Sequence, residues 1–228
     1  MLKTVFLDLD DTILDFHRAE AAALSRTFCE MGIPADQAVL DRYHEINKHH
    51  WEMLEEGIIT RDQVKTQRFE QLFAELGMEC DGDRVWRLYE SNLSIGHYFI
   101  PGAEKLLETL WRKYDLYLAS NGTASVQKSR LASAGIEKYF KGKFISEEIG
   151  ANKPSPAYFE HCFAAIPGFS LETAVIVGDS LTSDIRGGRN VGLRTVWFNP
   201  ERKPARADIP ADYEFRVLSE LPSLLESL

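Results

Sequence analysis

A short apolar run near the N-terminus ends in a cluster of carboxylates. Residues 4–7 read Thr-Val-Phe-Leu, and Asp8, Asp10 and Asp11 follow within four positions. A short, continuously apolar run of this kind is typical of a strand buried in a parallel sheet. Open α/β sheets bind their ligands at the carboxyl ends of such strands. Because neighbouring carboxylates repel one another, the cluster needs a cation or shared protons, and the segment predicts a site for chemistry at the sheet edge.

Short apolar runs alternate with helical patterns from about residue 100 onward. We predict strands over residues 116–119, 143–145, 174–177 and 194–198 and near Tyr213, and helices over residues 123–134 and 155–165, from about Leu181, and at the C-terminus. This alternation is typical of βα units. The predicted fold class is therefore α/β, with a doubly wound, mostly parallel, Rossmann-like sheet that also contains a first strand at residues 3–8.

The pattern changes between the first strand and residue 100. Four amphipathic helical patterns follow one another without a strand-like run, over residues 16–31, 36–55, 61–76 and 83–95. Thr60, with Gln63 at the third helical position, has the capping-box pattern that begins a helix. The sequence therefore predicts an α/β core of residues 1–15 plus 101–228, interrupted by an all-helical insert of residues 16–100.

Charge and composition exclude several classes of partner. The formal net charge is −9, whereas nucleic acids and anionic membranes are bound by basic surfaces. No apolar run approaches the roughly 18 residues that a membrane helix needs, and aspartates interrupt the first one, unlike in a secretion signal. The three scattered cysteines lack metal-type spacing and fit a reducing compartment. We expect a cytoplasmic monomer or weak homodimer that binds neither membranes nor nucleic-acid polymers.

Four polar motifs are expected at one edge of the predicted sheet. Three follow strands, and parallel strands share their carboxyl edge, while Lys153 can reach the same edge from its loop. Besides residues 8–12, they are Ser120-Asn121-Gly122 after one strand, Lys153-Pro154 before a helix, and Gly178-Asp179-Ser180 after another strand, with Asp184 one turn later. Each motif supplies carboxylates, hydrogen-bond donors or a cationic side chain. Together they indicate one site built from distant parts of the chain.

These residue types suit phosphoryl transfer. Asp8 can attack phosphorus and form an aspartyl-phosphate. Asp10, two residues later, projects to the same side of an extended chain and can exchange protons with the leaving group and with water. Asp8 and Asp179 can hold a hard, oxygen-preferring cation such as Mg²⁺. Ser120 and Lys153 can match the charge of the phosphoryl oxygens.

The order of the four motifs resembles the haloacid dehalogenase-like (HAD) phosphatase superfamily. In this chain the order is Asp-x-Asp-x-Thr at 8–12, Ser-Asn at 120–121, Lys-Pro at 153–154, and Gly-Asp-Ser at 178–180 followed by Asp184. The resemblance implies that Asp8 is the nucleophile and Asp10 the general acid and base. It also implies a Mg²⁺ ion held by Asp8, the backbone carbonyl of Asp10, and Asp179.

The same resemblance implies roles for the remaining motif residues and for the insert. Asp184 matches an acid at the metal or just behind its ligands, while Ser120, Asn121 and Lys153 match phosphate-binding positions. The helical insert resembles the C1 cap of the superfamily, which is expected to close over a substrate and set specificity.

Two segments of the insert and the segment that leads into it point to one branch of the superfamily. Residues 51–60, residues 68–69 and residues 10–16 are similar to the nucleotidase branch, which acts on pyrimidine or non-canonical nucleoside monophosphates. The resemblance implies a Mg²⁺-dependent phosphomonoesterase that hydrolyses nucleoside 5′-monophosphates, with a small-molecule phosphate monoester as its binding partner.

Other functions stay open at this point. A phosphatase or phosphomutase acting on phosphoglycolate or sugar phosphates shares parts of the pattern. A dehalogenase uses the same nucleophile but does not need Asp10. A non-catalytic phosphate-sensing protein, such as a receiver domain, combines similar residues in a different order and lacks a large helical insert.

The histidines of the insert invite a separate interpretation. His49 and His50 are adjacent, and adjacent residues on a helix do not face each other, so we do not predict that they share a metal. His17, beside the first predicted junction, is the better candidate for lining a cleft. Asp11 is interpreted as a turn residue rather than a catalytic one.

Overall fold

The protein divides into two compact units in a computed structural model that describes residues 1–228. Met1–Asp15 and Phe99–Leu228 form the α/β unit, and Phe16–Tyr98 form the helical unit. The sequence placed the second junction between residues 100 and 101, two residues beyond the observed boundary. No helix of the protein combines the length and the apolar character needed to cross a bilayer.

The α/β unit contains one six-stranded parallel sheet. Its strands are β1 (Thr4–Leu7), β2 (Asp115–Ser120), β3 (Gly142–Ile145), β4 (Ala174–Gly178), β5 (Arg194–Phe198) and β6 (Tyr213–Phe215). The spatial order is β3-β2-β1-β4-β5-β6. Strand order therefore reverses between β1 and β4, and this reversal is where open α/β sheets form a binding crevice. The predicted parallel, doubly wound sheet is confirmed.

The helical unit consists of four helices, each close to the predicted range. They are α1 (Phe16–Glu30), α2 (Gln37–Glu55), α3 (Arg61–Glu75) and α4 (Gly82–Leu93). The predicted capping box begins α3, since the Gln63 amide donates to Thr60 Oγ1 and the Thr60 amide donates to Gln63 Oε1. Such a box satisfies two backbone donors that the first helical turn leaves without partners.

Helices cover both faces of the sheet. They are α5 (Ala103–Leu110), α6 (Ala124–Ala134), α7 (Ser146–Ile149), α8 (Pro156–Ala164), α9 (Arg186–Asn190) and α10 (Leu221–Glu226). Val5 and Leu7 of β1 belong to one buried cluster, and Phe6 between them belongs to another. Because successive side chains of a strand point to opposite faces, this division shows that both faces of β1 are buried. An antiparallel bridge between Leu14 and Phe99 connects the two chain segments of the unit.

Candidate active site

Three carboxylates and one ammonium group are grouped at the carboxyl ends of β1 and β4. Asp8 follows β1, Asp179 follows β4, and Asp184 lies in a π-helical turn, Leu181–Ile185. One oxygen from each carboxylate lies within 4.8 Å of the others. Lys153 Nζ donates to Asp8 Oδ1 at 2.7 Å and to Asp184 Oδ1 at 2.5 Å. Residues from three of the four motifs thus form one cluster.

This carboxylate cluster has more acidic groups than basic ones. Burial raises the pKa of Asp8 to about 8, although Lys153 acts in the opposite direction. Burial also raises the pKa of Asp179 well above its usual range, with further contributions from Asp11 and Asp8. Burial alone would lower the pKa of Lys153, but Asp184 and Asp8 outweigh it and raise that pKa. When fully ionised, three carboxylates facing one lysine leave two negative charges, which suit a divalent cation with oxygen ligands.

Asn121 connects the second motif to the third. Its Nδ2 donates to the Lys153 carbonyl, and its Oδ1 accepts from the Lys153 amide, both at 2.9 Å. The Asn121 Nδ2 also lies 3.4 Å from Ser183 Oγ. The peptide bond between Lys153 and Pro154 is cis. Asn121 therefore holds the backbone of the loop that carries the buried lysine.

Asp10 belongs to a separate network with two residues that sequence reasoning missed. Its Oδ1 accepts from Arg130 Nη1 at 2.5 Å, and its Oδ2 accepts from Gln127 Nε2 at 2.6 Å. Gln127 Nε2 also donates to Ser120 Oγ at 2.8 Å, and Gln127 Oε1 accepts from Arg130 at 2.9 Å. Arg130 is fully buried. Gln127 and Arg130 thus link the first motif to the second from helix α6.

A signal for this network exists in the sequence. Gln127 and Arg130 are three residues apart on a helix that was predicted, so they share a face. The same face carries Leu131, which is fully buried. A polar pair on the apolar face of a helix that follows a motif strand indicates inward-facing polar groups.

The turns after β1 and β4 depend on particular residues. Asp11 has φ of +57°, in the left-handed region that aspartate and asparagine tolerate better than most residues, and this agrees with its interpretation as a turn residue. A Cβ on Gly178 would lie 2.1 Å from Asp184 Oδ2, so the close approach requires glycine. Ser180 Oγ accepts from the Ser183 amide and caps the turn that carries Asp184.

Known proteins resemble the chain over nearly its whole length. The family model for haloacid dehalogenase-like hydrolases matches residues 2–192. The HAD-hydrolase YfnB of Bacillus subtilis is 43% identical over 98% of this chain and 95% of its own length. Its crystal structure, bound to magnesium, matches with a TM-score of 0.94 over 98% of both chains.

Two further relatives have named activities. The pyrimidine 5′-nucleotidase PynA of Streptococcus pneumoniae is 38% identical over 98% of this chain and 95% of its own length. The pyrimidine 5′-nucleotidase YjjG of Escherichia coli is 29% identical over 97% of this chain and 96% of its own length. With the family model matching most of the chain, the predicted family is confirmed: the protein is an enzyme that belongs to the haloacid dehalogenase-like hydrolases.

Proposed function

We propose that the protein is a Mg²⁺-dependent phosphomonoesterase that acts through an aspartyl-phosphate on Asp8, with nucleoside 5′-monophosphates as substrates. The observation that carries the proposal is the buried Asp8 carboxylate, held by Lys153 beside Asp179 and Asp184. The substrate class is supported by the pyrimidine 5′-nucleotidase relatives PynA and YjjG.

The carboxylate cluster fits a Mg²⁺ ion. Asp8 and Asp179 would hold it together with the Asp10 carbonyl, and Asp184 would lie close behind because Lys153 and the Ser180 amide already engage its oxygens. Magnesium prefers oxygen ligands such as these, and it is bound in the crystal structure of YfnB. When bound, the ion neutralises carboxylate charge and polarises a phosphoryl oxygen.

The chain's own residues divide the reaction into two displacements. In the first, an oxygen of Asp8 attacks phosphorus, the bond to the ester oxygen breaks, and Asp10 gives the leaving oxygen a proton. In the second, Asp10 takes a proton from a water molecule, whose oxygen attacks phosphorus and releases the Asp8 carboxylate and phosphate. Lys153, Ser120 and Asn121 are the predicted phosphate-binding residues, and Lys153 also orients Asp8 by the 2.7 Å hydrogen bond.

We infer that Arg130 is a positioning residue for Asp10. Arg130→Met is expected to lower kcat about 10²-fold with a small change in KM, because Asp10 loses its fixed orientation. Arg130→Lys should restore part of kcat, since it restores a donor to Asp10. Lys128→Met, an exposed change on the same helix, is the matched control. Equal kcat values for Arg130→Met and this control would rule out the assignment.

Removal of divalent cations is expected to stop phosphate release. Excess EDTA should abolish turnover of an aryl phosphate ester, because the ionised carboxylate cluster loses the cation that balances its charge. Added Mg²⁺ should restore turnover. Far-UV circular dichroism of the same sample checks that the fold is retained. Turnover that continues in excess EDTA would contradict a metal-dependent mechanism.

The substrate class is tested by measuring phosphate release from a panel of compounds. We expect higher kcat/KM for pyrimidine nucleoside 5′-monophosphates than for phosphoglycolate or sugar phosphates. Preference for phosphoglycolate or a sugar phosphate would overturn the nucleotide proposal while leaving the phosphatase chemistry intact. Transfer of the phosphoryl group to a second hydroxyl without release of phosphate would indicate a mutase, and absence of any turnover would indicate a phosphate-sensing protein.

A further inference from the structure

Two histidines and a glutamate converge within the helical unit. His17 and Glu20 lie on α1, and His44 lies on α2. The Nδ1 atoms of the two histidines are 3.2 Å apart, and His44 Nδ1 is 2.5 Å from Glu20 Oε2. One potential ligand atom from each of the three residues lies within 4.8 Å of the other two. We call these three residues the His-Glu-His cluster.

His44 Nδ1 lies within hydrogen-bond distance of both His17 Nδ1 and Glu20 Oε2. A neutral imidazole nitrogen has one position in the ring plane, which holds either a hydrogen or a lone pair. Both His17 Nδ1 and Glu20 Oε2 approach His44 Nδ1, so a hydrogen on that atom would be divided between two acceptors. A cation placed among these three residues could accept a lone pair from one atom of each.

The spacing of the donors suits a small transition-metal ion. Tetrahedral zinc with ligands at about 2.0–2.1 Å has neighbouring ligand atoms about 3.3 Å apart. The two Nδ1 atoms are already at this separation. The distance between His44 Nδ1 and Glu20 Oε2 is shorter, and it would increase by less than about 1 Å to accommodate an ion.

Burial and hydrogen bonds hold the Glu20 carboxylate in one orientation. It is only 2% exposed. Its second oxygen, Oε1, accepts from Asn47 Nδ2 at 2.6 Å, and Asn47 Oδ1 accepts from Arg68 Nη1 at 2.6 Å. Ligating carboxylates in metal sites are held by hydrogen bonds of this kind. The hydrogen bonds from Arg68 to Asn47 and from Asn47 to Glu20 therefore hold Glu20 with its Oε2 toward the histidines.

The cluster also has an open side. His17 is exposed and His44 is partly exposed, while Glu20 closes the inner side. Two imidazoles and one carboxylate form the zinc ligand set that leaves a fourth position for water. Such a set differs from the all-carboxylate cluster of the α/β unit, because imidazole favours zinc and related ions over Mg²⁺.

We propose that His17, Glu20 and His44 form a binding site for one Zn²⁺ ion that links α1 to α2. The proposal rests on the donor geometry within the helical unit and is independent of the phosphatase reaction. The bound ion stabilises the helical unit, because an ion that binds only the folded state shifts the folding equilibrium toward that state. The shift grows with the affinity and the concentration of the ion.

A zinc titration of the full chain tests the proposal. Zinc is added against a chromophoric chelator in excess Mg²⁺, which keeps the carboxylate cluster occupied. We expect one Zn²⁺ per wild-type chain and no binding at the same concentrations by His44→Ala or Glu20→Gln. Asn47→Leu should weaken binding about 10–100-fold through loss of the hydrogen bond that orients Glu20. His49→Ala, an exposed histidine on the same helix as His44, should bind as the wild type does.

Two further measurements identify the zinc ligands and check that the variants are folded. X-ray absorption at the zinc edge of the wild-type complex should show scattering from two imidazoles. Zinc should also raise the Tm of the wild type and of His49→Ala, but not that of His44→Ala. Absence of zinc binding by the wild type, equal binding by His44→Ala and His49→Ala, or a spectrum without imidazole scattering would each overturn the site.

Discussion

Asp8→Asn is expected to lower kcat for an aryl phosphate ester by about four orders of magnitude or more, as loss of a catalytic nucleophile does. The amide of asparagine is a poor nucleophile toward phosphorus, so no covalent intermediate forms. Asparagine has nearly the same shape as aspartate and can still accept the hydrogen bond from Lys153. We therefore expect the far-UV circular dichroism spectrum and the urea unfolding midpoint to stay close to those of the wild type.

A matched control lies three residues away. Asp11→Asn removes one carboxylate from the same segment, and asparagine tolerates the left-handed backbone conformation that Asp11 adopts. This variant should lose far less activity than Asp8→Asn. Substantial turnover by Asp8→Asn, measured as phosphate released per enzyme molecule, would contradict the assignment of Asp8 as the nucleophile. Equal losses in the two variants would show that the effect comes from charge rather than from the attacking oxygen.

Lys153→Met is expected to lower the free energy of unfolding by about 3–5 kcal/mol, the range for removing one partner of a buried ion pair. The lysine is only 1% exposed, and its ammonium group is in contact with both Asp8 and Asp184. Methionine fills a similar volume but leaves these two carboxylates without their cation. The same change should abolish activity, because Asp8 is no longer oriented. Urea unfolding in metal-free buffer measures the first effect.

Two comparisons test the physical reason. Lys143→Met removes an exposed lysine paired with Glu137, and such exposed pairs contribute about 1 kcal/mol or less. Adding Asp184→Asn to Lys153→Met should recover part of the lost stability, because it removes one unpaired buried charge. If Lys153→Met were as stable as Lys143→Met, the lysine would not be compensating the buried carboxylates.

Sequence reasoning predicted the sheet because its strands are short apolar runs with clear ends. The run at residues 174–177, for example, is apolar throughout and is followed directly by Gly178. The three motifs that follow strands could be placed at one edge for the same reason, with Lys153 reaching that edge from a loop. The structure groups Asp8, Lys153 and Asp179 there. Helix α7 was missed since four residues show no helical period. Helix α5 was also missed, although its eight residues are strongly amphipathic.

Side-chain partners were harder to predict than positions. The sequence indicated that Asp10 would project beside Asp8, but it did not indicate that Arg130 and Gln127 would bind both of its oxygens. Polar residues on a helix are most often solvated. The face that Gln127 and Arg130 share with Leu131 indicates that they point inward, but it does not identify Asp10 as their partner. Asn121 shows the same limit, because its two hydrogen bonds to Lys153 join loops that are 32 residues apart in the chain.

The central position of β1 has a consequence for how the protein forms on the ribosome. This strand is made first, yet its two neighbours begin only at Asp115 and Ala174. The helical unit, by contrast, is one continuous segment, Phe16–Tyr98, and contiguous domains generally fold as units during synthesis. We therefore expect the helical segment to fold while β1 still lacks both partners, and the sheet can enclose β1 on both sides only after residue 178 has emerged.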